Sequence, residues 1–305
     1  FKKQLIIMQG LVDADPNVAT RLHGLAEAHK RLGVCAQQKQ DWLTAAEHLG
    51  RAVNIGWRMV NADSRDSLHM YAHVVRVCVY DHAYRMAHPG EEPHTRVPEA
   101  VELAKELVQL EPEVPLNREA LALACFRMMM GVADGRDPVA LETYARDLLS
   151  AIDGYIAIAG RTPQIVWWRS SGNLYLANAR RAQGDARGAD EAFRQAVNCI
   201  NEALAAGIDD PVLRIHLAEL LQDDPAATRE ERIAAINAAR DSVLSARGAK
   251  PAHVANVGRL YHAAGEFESA MDMLLRAQAK YEHLGADLSA EDAQALRECQ
   301  SLVGD

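Results

Sequence analysis

His69 and His73 stand one helical turn apart, the spacing at which two imidazoles share a metal ion, with Asp81 and His82 further along. A zinc centre needs three or four converging ligands, and the rest of the sequence supplies none at a telling spacing. The expectation is therefore no metal and no cofactor. Nucleophile and phosphate signatures are missing as well: there is no G-x-x-x-x-G-K-[ST], no G-x-G-x-x-G after a strand, no H-E-x-x-H and no G-x-S-x-G. Carboxylates are plentiful but fall on amphipathic patterns, where they make a solvated face first. The chain reads as a non-enzyme.

Other residue types point to contact rather than catalysis. Met128, Met129 and Met130 offer adaptable apolar surface, yet successive helical residues point in three directions, so one belongs to the core and one to the surface. Trp168 reads as a packing residue and Trp167 as an anchor in a groove or interface. Arg180, Arg187 and Arg194 recur every seven residues, but a turn at Gly184 breaks that seam. Arg229, Arg232 and Arg240 alternate with Glu230, Glu231 and Asp241, as in a solvated helix laced with ion pairs.

Composition limits the partners. The formal net charge is -9 and the pI near 5.8, against general nucleic-acid binding, which needs clustered Lys and Arg. Basic or neutral protein partners fit better. No apolar run approaches the roughly 18 residues of a membrane span, so no membrane partner is expected. Cys35, Cys78, Cys125, Cys199 and Cys299 are far apart, odd in number and without C-x-x-C, which reads as buried free thiols in a reducing, cytoplasmic setting. Phe1 opens inside a helical pattern with no initiator Met, as in a fragment of something longer.

The elements that would position these residues are helices throughout. Aromatic residues are 5% of the 305 and alanine is abundant, which suits close helix packing. An amphipathic stretch over residues 1 to 13 ends at Asp15-Pro16. Pairs follow from Asn17 and Asp41, and from Asp63 with Leu68, Tyr71, Val74, Val75 and Cys78 on its stripe. The stretch His88 to Val97 is a loop dense in Pro and Gly. Further pairs start at Leu116, at Thr162-Pro163, at Pro211 and at Lys250; Thr228 to Glu231 has capping-box spacing, and a short helix ends near Leu302.

The pair from Lys250 to Gly285 carries a family likeness. Val254, Val257-Gly258 and Tyr261, then Ala270 and Leu274, resemble the W-x2-L-G-x2-Y and A-x3-F positions of the tetratricopeptide repeat, with Glu282 where the repeat closes on Pro. Leu32-Gly33 with Ala45 and Leu49, and Trp168, Gly172 and Tyr175 with Ala189 and Phe193, resemble the same pattern. Gly258 and Ala270 are read as facing each other across the turn. The signature alanines Ala45, Ala100, Ala140, Ala189, Ala234 and Ala270 recur at more than the family's roughly 34 residues at every step. The resemblance implies an all-α, right-handed superhelix of antiparallel hairpins. It would form one domain over residues 1 to 305, with six hairpins, a leading half-repeat and a C-terminal cap.

It also implies a concave groove lined by the first helix of each hairpin. Lys30, Gln37, Asn178, Arg181, Arg259 and His262 fall on that side with Trp167, a polar and basic set suited to acidic side chains or a terminal carboxylate of an extended peptide. The function expected is a protein-interaction module holding a peptide or partner helix. The alternative is the regulatory or sensor part of a larger effector such as a protease, kinase or transcription regulator. Open ends of such arrays are compatible with self-association.

Overall fold

The structure, a computed structural model, describes residues 1–91, 96–133 and 137–303. Part of the expected His88 to Val97 loop, residues 92–95, lies outside the described residues. The described residues form fourteen helices and no strand: α1 (Lys2–Ala14), α2 (Ala19–Gln38), α3 (Trp42–Ala62), α4 (Ser67–Ala87), α5 (Val97–Leu110), α6 (Pro115–Val132), α7 (Pro138–Ala159), α8 (Pro163–Ala182), α9 (Ala186–Ala205), α10 (Pro211–Asp223), α11 (Arg229–Ser245), α12 (Pro251–Ala263), α13 (Phe267–His283) and α14 (Ala290–Val303). This is one lone helix, six hairpins and one closing helix.

Local chemistry sets the helix starts. Asp41, Asp66, Asp137 and Asp210 each accept a backbone N–H of the first turn of α3, α4, α7 and α10. Thr228 and Glu231 form the reciprocal capping box of α11. Proline stands first in α6, α7, α10 and α12 and second in α5, where its missing N–H costs nothing. Gly265 turns α12 into α13 at φ 77°, and Gln40 holds the equivalent place between α2 and α3 at φ 59°.

The residues divide into two compact units, Phe1–Gly160 with Gly172–Phe193, and Arg161–Ser171 with the chain from Arg194 onward. In the first unit α1 packs on α2, α2 pairs with α3, α3 meets α4, and α6 lies against both α4 and α5 before pairing with α7. In the second, α10 pairs with α11 and α12 with α13, while α12 packs between the first helix α10 and the closing helix α14. Within each unit, helices joined by short turns bury their stripes on their neighbours, the packing of an all-α solenoid.

The hairpin seams carry the repeat-like pattern. A methyl group placed on Gly33 would lie 2.6 Å from Leu49 Cγ, and one on Gly258 would lie 2.8 Å from Leu274 Cγ. Gly258 therefore receives Leu274, one turn beyond the Ala270 it was expected to face, and Ala270 fills the core beside it. Gly172 meets Leu148 and Leu149 of α7 instead. In α4 the stripe also differs from expectation. Leu68 is 62% exposed, and Met70, Val74, Val77 and Cys78 are buried with the polar His73, Arg76 and Asp81. Helix α4 packs on α3, α5 and α6, so burial extends around most of its circumference.

Candidate functional site

In the second unit two of the residues assigned from sequence, Arg259 and His262, share α12. Arg259 and His262 line a cavity of 440 Å³ with Glu219 of α10, Asn256, Leu260 and Ala263 of α12, and Glu291, Gln294, Ala295 and Glu298 of α14. Arg259 is already engaged. Its guanidinium donates to the buried Asp292 and, at 2.5 Å, to Asn256 Oδ1, and it stands 3.7 Å from Glu291. His262 Nε2 lies 3.0 Å from Glu298 Oε2, with its ring edge-on to Phe267. The side chains expected to receive a partner's carboxylate are thus met by carboxylates of the chain itself, from α14.

Trp167 is half-buried, its ring set edge-on against His216 at 6.1 Å. His216 links Ser171 Oγ at 3.5 Å from Nε2 to Glu219 Oε2 at 3.3 Å from Nδ1. This serine–histidine–carboxylate order invites comparison with a hydrolytic relay. Ser171, however, is buried in the middle of α8, where backbone N–H groups are committed to the helix, so no backbone oxyanion hole adjoins its hydroxyl.

In the first unit the assigned residues stay apart. Lys30 reaches Glu27 at 3.4 Å, Gln37 keeps a buried Nε2 without a hydrogen-bond partner, and Arg181 donates to exposed Asn178 at 3.2 Å. Each of these contacts remains within its own helix. His69 lies 3.1 Å from Asp66, and His73 sits against Trp57 at 5.4 Å. Among the described residues no three His, Cys, Asp or Glu side chains converge as metal ligands.

A polar centre that spacing did not reveal lies between α2 and α4. Fully buried Arg76 donates to Glu27 at 2.9 Å, while its Nε and Nη1 and the Nδ1 of His73 have no partner. Burial raises the Glu27 carboxyl, but Lys30 and Arg76 outweigh it and hold the group below its ordinary range. Burial, helped by Arg76 and Arg96, pushes His73 down to about 4. Glu27 and Arg76 are 49 positions apart, so no periodicity within one helix signals the pair.

Of the five thiols, Cys78, Cys125 and Cys299 are buried and Cys35 and Cys199 half-buried, fewer buried than expected. Burial pushes the Cys78 and Cys125 thiols up to about 12, so both resist ionisation. The Met128 to Met130 run divides as its spacing requires, with Met129 in the core and Met130 exposed. No described helix is long and apolar enough to cross a membrane.

The sequence matches no protein-family model, and no curated protein matches it. Solved structures are similar at low identity. A tetratricopeptide protein of Thermus thermophilus, TTC0263, shares 17% identity over 76% of this chain and 98% of its own, with a TM-score of 0.41. BtubC from P. vanneervenii shares 16% over 94% and 91%, at 0.46. The TPR2AB domain of yeast Sti1, solved in a complex with pHSP90, shares 14% over 90% and 98%, at 0.29. The hairpin packing described above, and not these likenesses, carries the fold reading.

Proposed function

We propose that this chain is a non-enzymatic interaction module that holds a peptide or a partner helix along the first helices of its hairpins. The observation that supports it most is the cavity in the second unit. It opens across the neighbouring first helices α10 and α12 and the closing helix α14, and it sets polar side chains from all three around an apolar floor of Leu260, Ala263 and Ala295. Lys30, Gln37, Asn178 and Arg181 in the first unit, and Trp167, Arg259 and His262 in the second, are the side chains this reading assigns to the binding faces. Arg259 serves there by fixing α14, and His262 by orienting Glu298.

The test is display selection of peptides on the full chain, followed by photo-crosslinking from single positions. Probes at Lys30 and Asn178, on first helices, and at Gln294, on the closing helix, are expected to capture the selected peptides. Probes at Glu47 and Leu275, on second helices, are expected to remain idle. Capture from the second-helix positions alone overturns the reading.

A further inference from the structure

The cavity between α10, α12 and α14 has a definite charge preference, and we infer that it takes a lysine or arginine side chain of the bound partner. The inference rests on the peptide-binding reading of this face. Arg259 is the permanent cation among the lining residues, and Asp292, Glu291 and Asn256 already occupy its guanidinium. Glu219 and Glu298 stand on different walls, α10 and α14, and each side chain is 45% exposed. Their charged neighbours are imidazoles, His216 at 3.3 Å and His262 at 3.0 Å, so among the described residues no permanent cation is placed against either carboxylate.

The rest of the lining selects the shape of the occupant. Leu260, Ala263 and Ala295 give an apolar floor on which a methylene stem lies, while its charged head reaches the carboxylates at the rim. Gln294 donates its amide to Glu298 Oε1 at 2.9 Å, which leaves its own amide oxygen as a further acceptor. An anionic occupant meets Glu219, Glu291 and Glu298 with only Arg259 in return. An apolar one strips water from those carboxylates without replacing it. A long cationic side chain satisfies both walls, and the chain's net charge of -9 draws a basic segment in from a distance.

The probe is a blocked nonapeptide of alternating lysine and alanine, titrated into the isotope-labelled full chain. Matched peptides carry norleucine or glutamate in place of lysine. The lysine peptide is expected to move amide signals of residues 256–263 and 291–298, and the other two are not. Glu219→Gln with Glu298→Gln is expected to weaken its Kd about tenfold, as loss of about 1.4 kcal/mol of attraction does. Both glutamates are partly exposed, and an unchanged unfolding midpoint verifies the fold of the variant. Equal shifts with norleucine, an unchanged Kd in the double variant, or no shift in these segments each overturns the inference. If selected peptides crosslink to first helices yet lack Lys and Arg and ignore the double variant, this inference falls and the interaction reading stands. If they crosslink only to second helices, the reading itself falls.

Discussion

Arg259 on α12 donates to Asp292 on α14, and the carboxylate is buried while the guanidinium keeps a third of its surface in solvent. Ser289 Oγ donates to the other carboxylate oxygen at 2.7 Å and accepts the Asp292 N–H at 3.1 Å, so Ser289 caps α14 while Asp292 ties its first turn to α12. Asp292→Asn is expected to lose about 1 to 3 kcal/mol, the cost of weakening a half-buried charged hydrogen bond. Arg259→Glu is expected to cost more, because it places a carboxylate against Asp292 and Glu291. Urea unfolding followed by circular dichroism checks the order. An unchanged midpoint for Arg259→Glu would show that the pair does not fix α14.

Glycine substitutions separate tight seams from open surface. Gly258→Ala drives a methyl to 2.8 Å from Leu274 Cγ and 3.3 Å from its backbone nitrogen, and is expected to cost about 1 to 3 kcal/mol. Gly10→Ala, inside α1 with nothing within 4 Å, is expected to gain about 0.5 to 1 kcal/mol from helix propensity. Thermal unfolding of the two variants should shift in opposite directions; a common direction would contradict the seam.

Acid sensitivity follows from two buried imidazoles. His29 Nδ1 lies 3.0 Å from His48 Nδ1 between α2 and α3, and burial followed by His48 and Arg51 lowers His29 to about 4. His73 is lowered to the same value. A folded-state value below the unfolded 6.5 means the unfolded chain binds more protons between the two. The stability contribution is therefore full above about 6.5 and is lost as pH falls towards about 4. Each site accounts for roughly 3 kcal/mol across that window. His73→Leu should flatten the fall in urea midpoint between pH 6.5 and 4, and an equally steep fall would assign the acid sensitivity elsewhere.

Local rules make the hairpins legible in the sequence. Proline at first turns, the Thr228–Glu231 capping box and the recurrence of small and large residues all act within one pair of helices, so spacing along the chain reports them, though it places Ala270 rather than Leu274 against Gly258. Helix α4 is harder to read. A helix covered on several sides hides its period, so spacing puts Leu68 on a stripe that the structure assigns to Met70 and Val77. Register alone locates Arg259 and His262 on the first-helix face, but not their partners. Asp292 lies 33 positions away, and Glu298 faces His262 from α14, so only the folded chain shows that they are met.

Gln40 draws a further consequence from the turn between α2 and α3. At φ 59° it stands where Gly265 stands in the later hairpin, in a conformation that costs a side-chain-bearing residue about 1 to 2 kcal/mol. A linear array has no shared centre over which to spread that cost. It falls on the α2/α3 hairpin alone, so amide hydrogens beside Gln40 should exchange through smaller openings than those beside Gly265. A single missing glycine thus distinguishes two hairpins whose turns otherwise match.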